Sequence, residues 1–199
     1  CANHVVEEIA AQVPLADAYT HAYGCDQLGA DLQLSFRCLV QMGTHPNIGA
    51  ALVVGLGCEE IRADALYEKI AENQPRCTYF NIQEAGGTTK SISKGVEIVR
   101  NYAAELSMMK RTEVPLSALT VGLECGGSDF TSGLAANPAM GKMAESLCDA
   151  GCKILFGETT ELMGAEAILK KLCVHKEHYE WICGRIRQIE QVALDMKVD

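Results

Sequence analysis

A chain of 199 residues with a formal charge of −9 and 48% apolar residues has enough material for a sizeable core. It has no basic cluster, which argues against nucleic acid and anionic membranes as partners, and no apolar run reaches the roughly 20 residues of a spanning helix. Ten cysteines with neither a CxxC pair nor zinc-finger spacing do not read as a disulfide scaffold, and a reducing cytoplasm fits them best.

Residues 2–13 have helical spacing, with Val5, Ile9 and Val13 on one face. The stretch 14–30 is the least regular, with a short strand expected near Ala16–Thr20. A second helix is predicted over 31–43, a buried strand over 50–55 and an amphipathic helix over 59–73. A strand at 77–82 precedes a long helix at 90–111, in which Gly95 is a tolerated flaw. A strand at 118–123 is followed by a helix at 137–151, with Pro138 suited to its first turn and Gly151 to the position just past its end. The strand at 152–158 and helices at 161–173 and 175–197 complete the chain. Cys38, Cys148, Cys173 and Cys183 fall in helical apolar contexts and read as small buried hydrophobes. The chain begins at Cys1 and its last helix has no clear cap, so further sequence is expected at both ends.

Strands alternating with helices of ten or more residues predict an α/β fold: a parallel sheet of about five strands with helices on both faces, a Rossmann-like three-layer arrangement. The whole of 1–199 reads as a single α/β domain. Ligands of such sheets bind beyond the carboxyl ends of the strands. There the sequence places His21 to Gln27, then Cys58-Glu59-Glu60, then Gln83 to Thr89, then Cys125-Gly126-Gly127-Ser128-Asp129, then Glu158 to Glu161. Cys1 would be the tip of a strand lying upstream. Glycine pairs at helix starts expose N–H groups that hold carboxylates or phosphates. Cysteine, histidine and carboxylate side chains converging from several loops can hold a transition metal such as iron or zinc. Plainer readings stand beside these: tight turns for the glycine pairs, gap-filling for Cys58 and Cys125, a surface position for His21, a turn for His45, first-turn acids for Glu59 and Glu60, and a helix cap for Asp129. No phosphate-loop or dinucleotide fingerprint is present, so a small carboxylate fits better than a nucleotide.

The blocks "HAYGCDQLG" (21–29), "HPNIGAALVVGLGCE" (45–59), "IQEAGGTTKSISKG" (82–95), "VGLECGGSDFTSGLAANPAMG" (121–141) and "ILFGETTELMGAE" (154–166) resemble the altronate/galactarate dehydratase family, which also includes a sulfolactate sulfo-lyase subunit. The resemblance implies a metal-dependent lyase acting on a small anionic sugar acid, with iron(II) or manganese as the divalent metal. It also implies that this chain is the central part of a larger multidomain enzyme, with an N-terminal domain or subunit as partner and a possible homo-oligomer. Position on the sheet edge singles out His21 and Glu84 as the acid–base pair, residue types able to pass protons. Cys25, Cys58 and Cys125 are the expected metal ligands, with Glu59 and Asp129 as alternatives. Gly86, Gly87, Thr88, Gly126, Gly127 and Ser128 would hold substrate oxygens. Two other readings remain: a substrate-binding module without chemistry of its own, and a redox or iron–sulfur carrier.

Overall fold

The computed structural model describes residues 2–197, so the expectation for Cys1 lies outside the described residues. The chain forms two compact units, Cys1–Arg111 and Thr112–Asp199.

In the first unit, β1 (Ala51–Gly55) pairs in parallel with β2 (Cys77–Asn81), with Val53 opposite Tyr79 and Val54 opposite Phe80. The connection is α3 (Ala63–Ala71), the crossover a parallel pair requires. Side chains alternate across the pleat. Val53 joins Ile61, Leu66 and Ile70 in a cluster backed by Leu32, Phe36 and Leu39 of α2 (Gly29–Gly43). On the other face Phe80 joins Val5 and Ile9 of α1 (Asn3–Ala11), Val13 and Ile82, and Val96 of α5 (Thr88–Ser107). The short α4 (Ile82–Ala85) lies between β2 and α5. Gly95 is not a flaw: a Cβ there would drive into Ile9, so its bare backbone is what lets α1 lie against α5.

In the second unit, β3 (Thr120–Leu123) pairs in parallel with β4 (Lys153–Phe156), Leu123 standing opposite Phe156. The connection begins with helical residues Phe130 and Thr131, passes through a π-helical stretch, Ser132–Ala136, and continues as α6 (Asn137–Asp149). Pro138 has no N–H and its ring crowds the carbonyl four residues back, so the widened π turn falls where a regular helix would clash. Gly151 (φ +90) closes α6: its N–H donates to the Cys148 carbonyl at 2.8 Å, and that of Cys152 to Leu147 at 2.9 Å, a Schellman stop. After β4 come α7 (Glu166–Leu172) and α8 (Lys176–Asp195), which bury Leu169, Cys183 and Ile186.

The expected sheet of about five strands, Rossmann-like and three-layered, is therefore corrected. The described strands make two separate two-stranded parallel sheets, and most of the chain is helical. Ala16–Thr20 forms no strand, because Asp17, Ala18 and Tyr19 are exposed and offer no apolar run for a sheet to bury. Of the four helical cysteines, Cys183 is buried, Cys173 is half-buried, and Cys38 and Cys148 are exposed. Among the described residues no helix is long and apolar enough to cross a membrane.

Candidate functional site

The tips of the two sheets hold most of the predicted residues, and each is best taken in its own unit. In the first, the chain leaving β1 runs Gly55-Leu56-Gly57-Cys58-Glu59 and folds back on itself. Glu59 Oε2 accepts the backbone N–H groups of Leu56 (3.0 Å), Gly57 (2.7 Å) and Cys58 (3.1 Å). Its other oxygen fills the space over Gly55, beside the Asn81 side chain. Gly57 (φ +118) takes a conformation that side chains rarely adopt, and Gln83 Oε1 occupies the place of its missing Cβ. Gln83 Nε2 stands 3.8 Å from Cys58 Sγ, and Cys25 Sγ stands 3.9 Å from the Cys58 carbonyl. Cys25, Cys58, Glu59, Asn81 and Gln83 thus form one constellation from three segments of the chain.

His21 begins the loop that carries Cys25. Its carbonyl accepts Asn3 Nδ2 at 2.8 Å, its ring stacks on Tyr23 with centroids 6.5 Å apart, and its buried Nδ1 has no hydrogen-bond partner among the described residues. Gln27 Oε1 and Asn81 Oδ1 are buried without partners too. Unpaired buried polar atoms are costly and call for an explanation. Glu84 lies exposed on α4, not hemmed in as its sequence position suggests.

Gly86 (φ +88) ends α4 and Gly87 (φ +95) caps α5. Their N–H groups donate to Gln83 and Ile82 carbonyls, at 3.4 and 3.0 Å. Among the described residues, the donors left free are those of Thr88, Thr89 and Lys90, since no side chain caps α5. Lys90 bends back over Gly86. Sequence reasoning passed over Lys90, although a cation in the first turn of a helix works against the dipole and so hints at an anion nearby.

In the second unit Asp129 Oδ1 accepts the N–H groups of Thr131 (2.7 Å) and Ser132 (3.0 Å) and the Thr131 hydroxyl, which hold its carboxyl below the ordinary range. It is the cap of the helix that becomes α6. Cys125 Sγ is 3.7 Å from the Gly127 carbonyl. The N–H groups of Gly126, Gly127 and Ser128 have no protein partner among the described residues, in contrast to the Gly86-Gly87 pair.

Glu124 was also missed, though it fills the place in "GLEC" that glycine takes in "GLGC". It raises the carboxyl of Glu158 above its ordinary value, chiefly by like-charge repulsion, with burial, Glu161 and a hydrogen bond to Glu124 adding to it. A carboxyl shifted upward contributes stability below the ordinary range and loses it as pH rises through the shifted value. Glu158→Gln is therefore expected to raise the melting temperature at neutral pH and to flatten its decline above the carboxylate range. Thermal melts of both proteins between pH 4 and 8 check this.

Among the described residues, no three His, Cys, Asp or Glu side chains are grouped closely enough to hold a metal ion. One oxygen each of the Glu59 and Asp129 carboxylates accepts backbone N–H groups, and the first unit offers the thiols of Cys25 and Cys58. Two thiols suit iron or zinc better than manganese, and by themselves they do not complete a site.

Every residue of these tips falls inside a stretch matched by a family description. Residues 1–107 match "D-galactarate dehydratase/Altronate hydrolase, second domain", and residues 116–199 match "D-galactarate/Altronate dehydratase, C-terminal". The chain belongs to the D-galactarate/altronate dehydratase family. It is 34% identical to altronate dehydratase of Bacillus subtilis over 86% of its own length, and 34% identical to that of Escherichia coli over 87%. It is 33% identical over 88% of its length to the (2R)-sulfolactate sulfo-lyase subunit beta of Chromohalobacter salexigens. It spans 34% of each altronate dehydratase and 44% of the sulfo-lyase subunit.

Proposed function

We propose that this chain is part of a hydro-lyase that dehydrates a sugar acid such as altronate or galactarate. The observation that supports it most is that both family matches run in order along the chain and enclose the polar strand tips. The reaction breaks a C–H bond next to the carboxylate and a C–O bond one carbon further on. The hydroxyl leaves as water and a C=C bond forms. In this reading His21 and Glu84 are the acid–base pair, one taking the α-proton and the other protonating the departing hydroxyl. The unpartnered Nδ1 of His21 supports its part. The substrate carboxylate is held by the free N–H groups at the start of α5, with the Lys90 ammonium beside them.

An iron(II) ion belongs to the same proposal, with Cys25 and Cys58 as the side chains of the first unit that would face it. Bound, it would supply Lewis-acid stabilisation of the negative charge that develops as the proton leaves. An N-terminal domain or subunit, and assembly into a homo-oligomer, complete the proposal; the sulfo-lyase relative is itself named as one subunit.

That relative also favours a second reading, because its identity to this chain is close to that of the altronate enzymes. Sulfite would then leave in place of hydroxide. The full-length protein, purified anaerobically with metal, is to be offered altronate, galactarate and sulfolactate. Formation of a keto-deoxy acid from either sugar acid is the expected result. Sulfite release selects the second reading, and no turnover of any of the three overturns both.

A further inference from the structure

We propose that Glu59 is a positioning residue: its carboxylate, seated on the N–H groups that follow β1, holds this tip in the one conformation that presents the Cys58 thiol. An acid at this point of the sequence reads as a first-turn residue of the next helix or as a metal ligand. It serves neither purpose, because α3 begins only at Ala63 and the carboxylate turns back toward the strand. Hydrogen bonds from N–H to a carboxylate are about twice as strong as neutral ones, and three successive donors form a nest around one oxygen.

The surrounding residues are cut to fit. Gly55 can carry no side chain, since a Cβ would fall on Glu59 Oε1 and on the Asn81 amide. Asn81 Oδ1 is buried with no donor facing it. Turned end for end, the same amide would put its NH2 on the side of Gly55 where Glu59 Oε1 lies. Gln83 then lies over Gly57 with its Nε2 toward Cys58 Sγ, 3.8 Å away. Using Glu59 as a metal ligand through Oε2 would break three hydrogen bonds and free the loop that carries Cys58. The inference rests on the lyase reading only in treating Cys58 as a site residue.

The test needs no turnover, so its failure and that of the lyase reading are distinguishable. Gly57 and Cys58 are exposed, yet their amides are bonded. In the unmodified chain these two amides are expected to exchange with deuterium at least about tenfold more slowly than in Glu59→Ala, while the amide of Val53 in β1 is unchanged. The rate of Cys58 alkylation by iodoacetamide, measured against the exposed Cys38, is expected to change about threefold or more in Glu59→Ala as the loop loosens. Formate at high concentration is expected to refill the nest and reverse both effects, which a general loss of stability would not allow. Glu59→Gln, equal in size but uncharged, should fall between. Unprotected amides at Gly57 and Cys58 in the unmodified chain overturn the proposal, even if Glu59→Ala does not fold. So does a Cys58 alkylation rate unchanged in a folded Glu59→Ala.

Discussion

Phe80→Ala is expected to destabilise the first unit by about 3–5 kcal/mol, the usual cost of emptying a buried phenylalanine site. Phe80 is 4% exposed and packs where α1, β2 and α5 meet, against Val5, Ile9, Val13, Ile82 and Val96. The Lys94 ammonium sits 5.0 Å from the ring centre, and this cation–π contact is lost as well. Domains are commonly stable by only about 5–15 kcal/mol, so the change removes a large part of the whole. Urea unfolding followed by circular dichroism measures it. Phe156, in β4 of the other unit, is 61% exposed, and Phe156→Ala is expected to cost less than about 0.5 kcal/mol. Equal midpoints for Phe80→Ala and the parent protein would mean that this cluster is not the core. Phe80 also directly precedes Asn81, so the loss of packing should reach the strand tip.

His21→Ala in the full-length protein is expected to lower turnover by about 10²–10⁴, the range for removing a general acid or base. The fold should survive, because Asn3 bonds the backbone carbonyl of His21 and not its ring. His45 gives the contrast: its Nδ1 accepts the Asn47 N–H at 3.2 Å within a turn, so His45→Ala should leave turnover near the parent level. A His21→Ala protein that melts normally and turns over at the parent rate would remove His21 from the acid–base pair.

Local structure was largely legible in the residues. The apolar runs at 50–55, 77–82, 118–123 and 152–158 all contain strands, and Gly151 ends α6 as its place in the sequence suggested. What the residues could not show is which strands pair. Each βαβ segment has the same alternation whether it joins one large sheet or stands alone with its neighbour, because hydrogen bonding between strands leaves no mark on periodicity. The strand expected at Ala16–Thr20 is absent because that stretch has no apolar run for a sheet to bury. Helix starts misled where side chains turn back. Glu59 looked like the start of a helix and closes a loop, and Asp129 opens a helix at Phe130, seven residues before the predicted start. At the tips, residue type identified the chemical groups but not their commitments: the Gly86-Gly87 donors are spent within the chain, while the Gly126-Gly127-Ser128 donors have no partner among the described residues.

The π turn at Ser132–Ala136 makes the angular setting of α6 depend on where a residue is removed rather than on composition. A π turn holds one residue more per turn than an α-helix needs. Removing one residue there would let the turn close to regular width with everything on its far side still facing the same way, because the wide turn is what absorbs the extra residue. A single-residue deletion inside Ser132–Ala136 should therefore leave α6 against β4, while one within α6 itself, where no wide turn absorbs it, should turn the rest of that helix by about 100°.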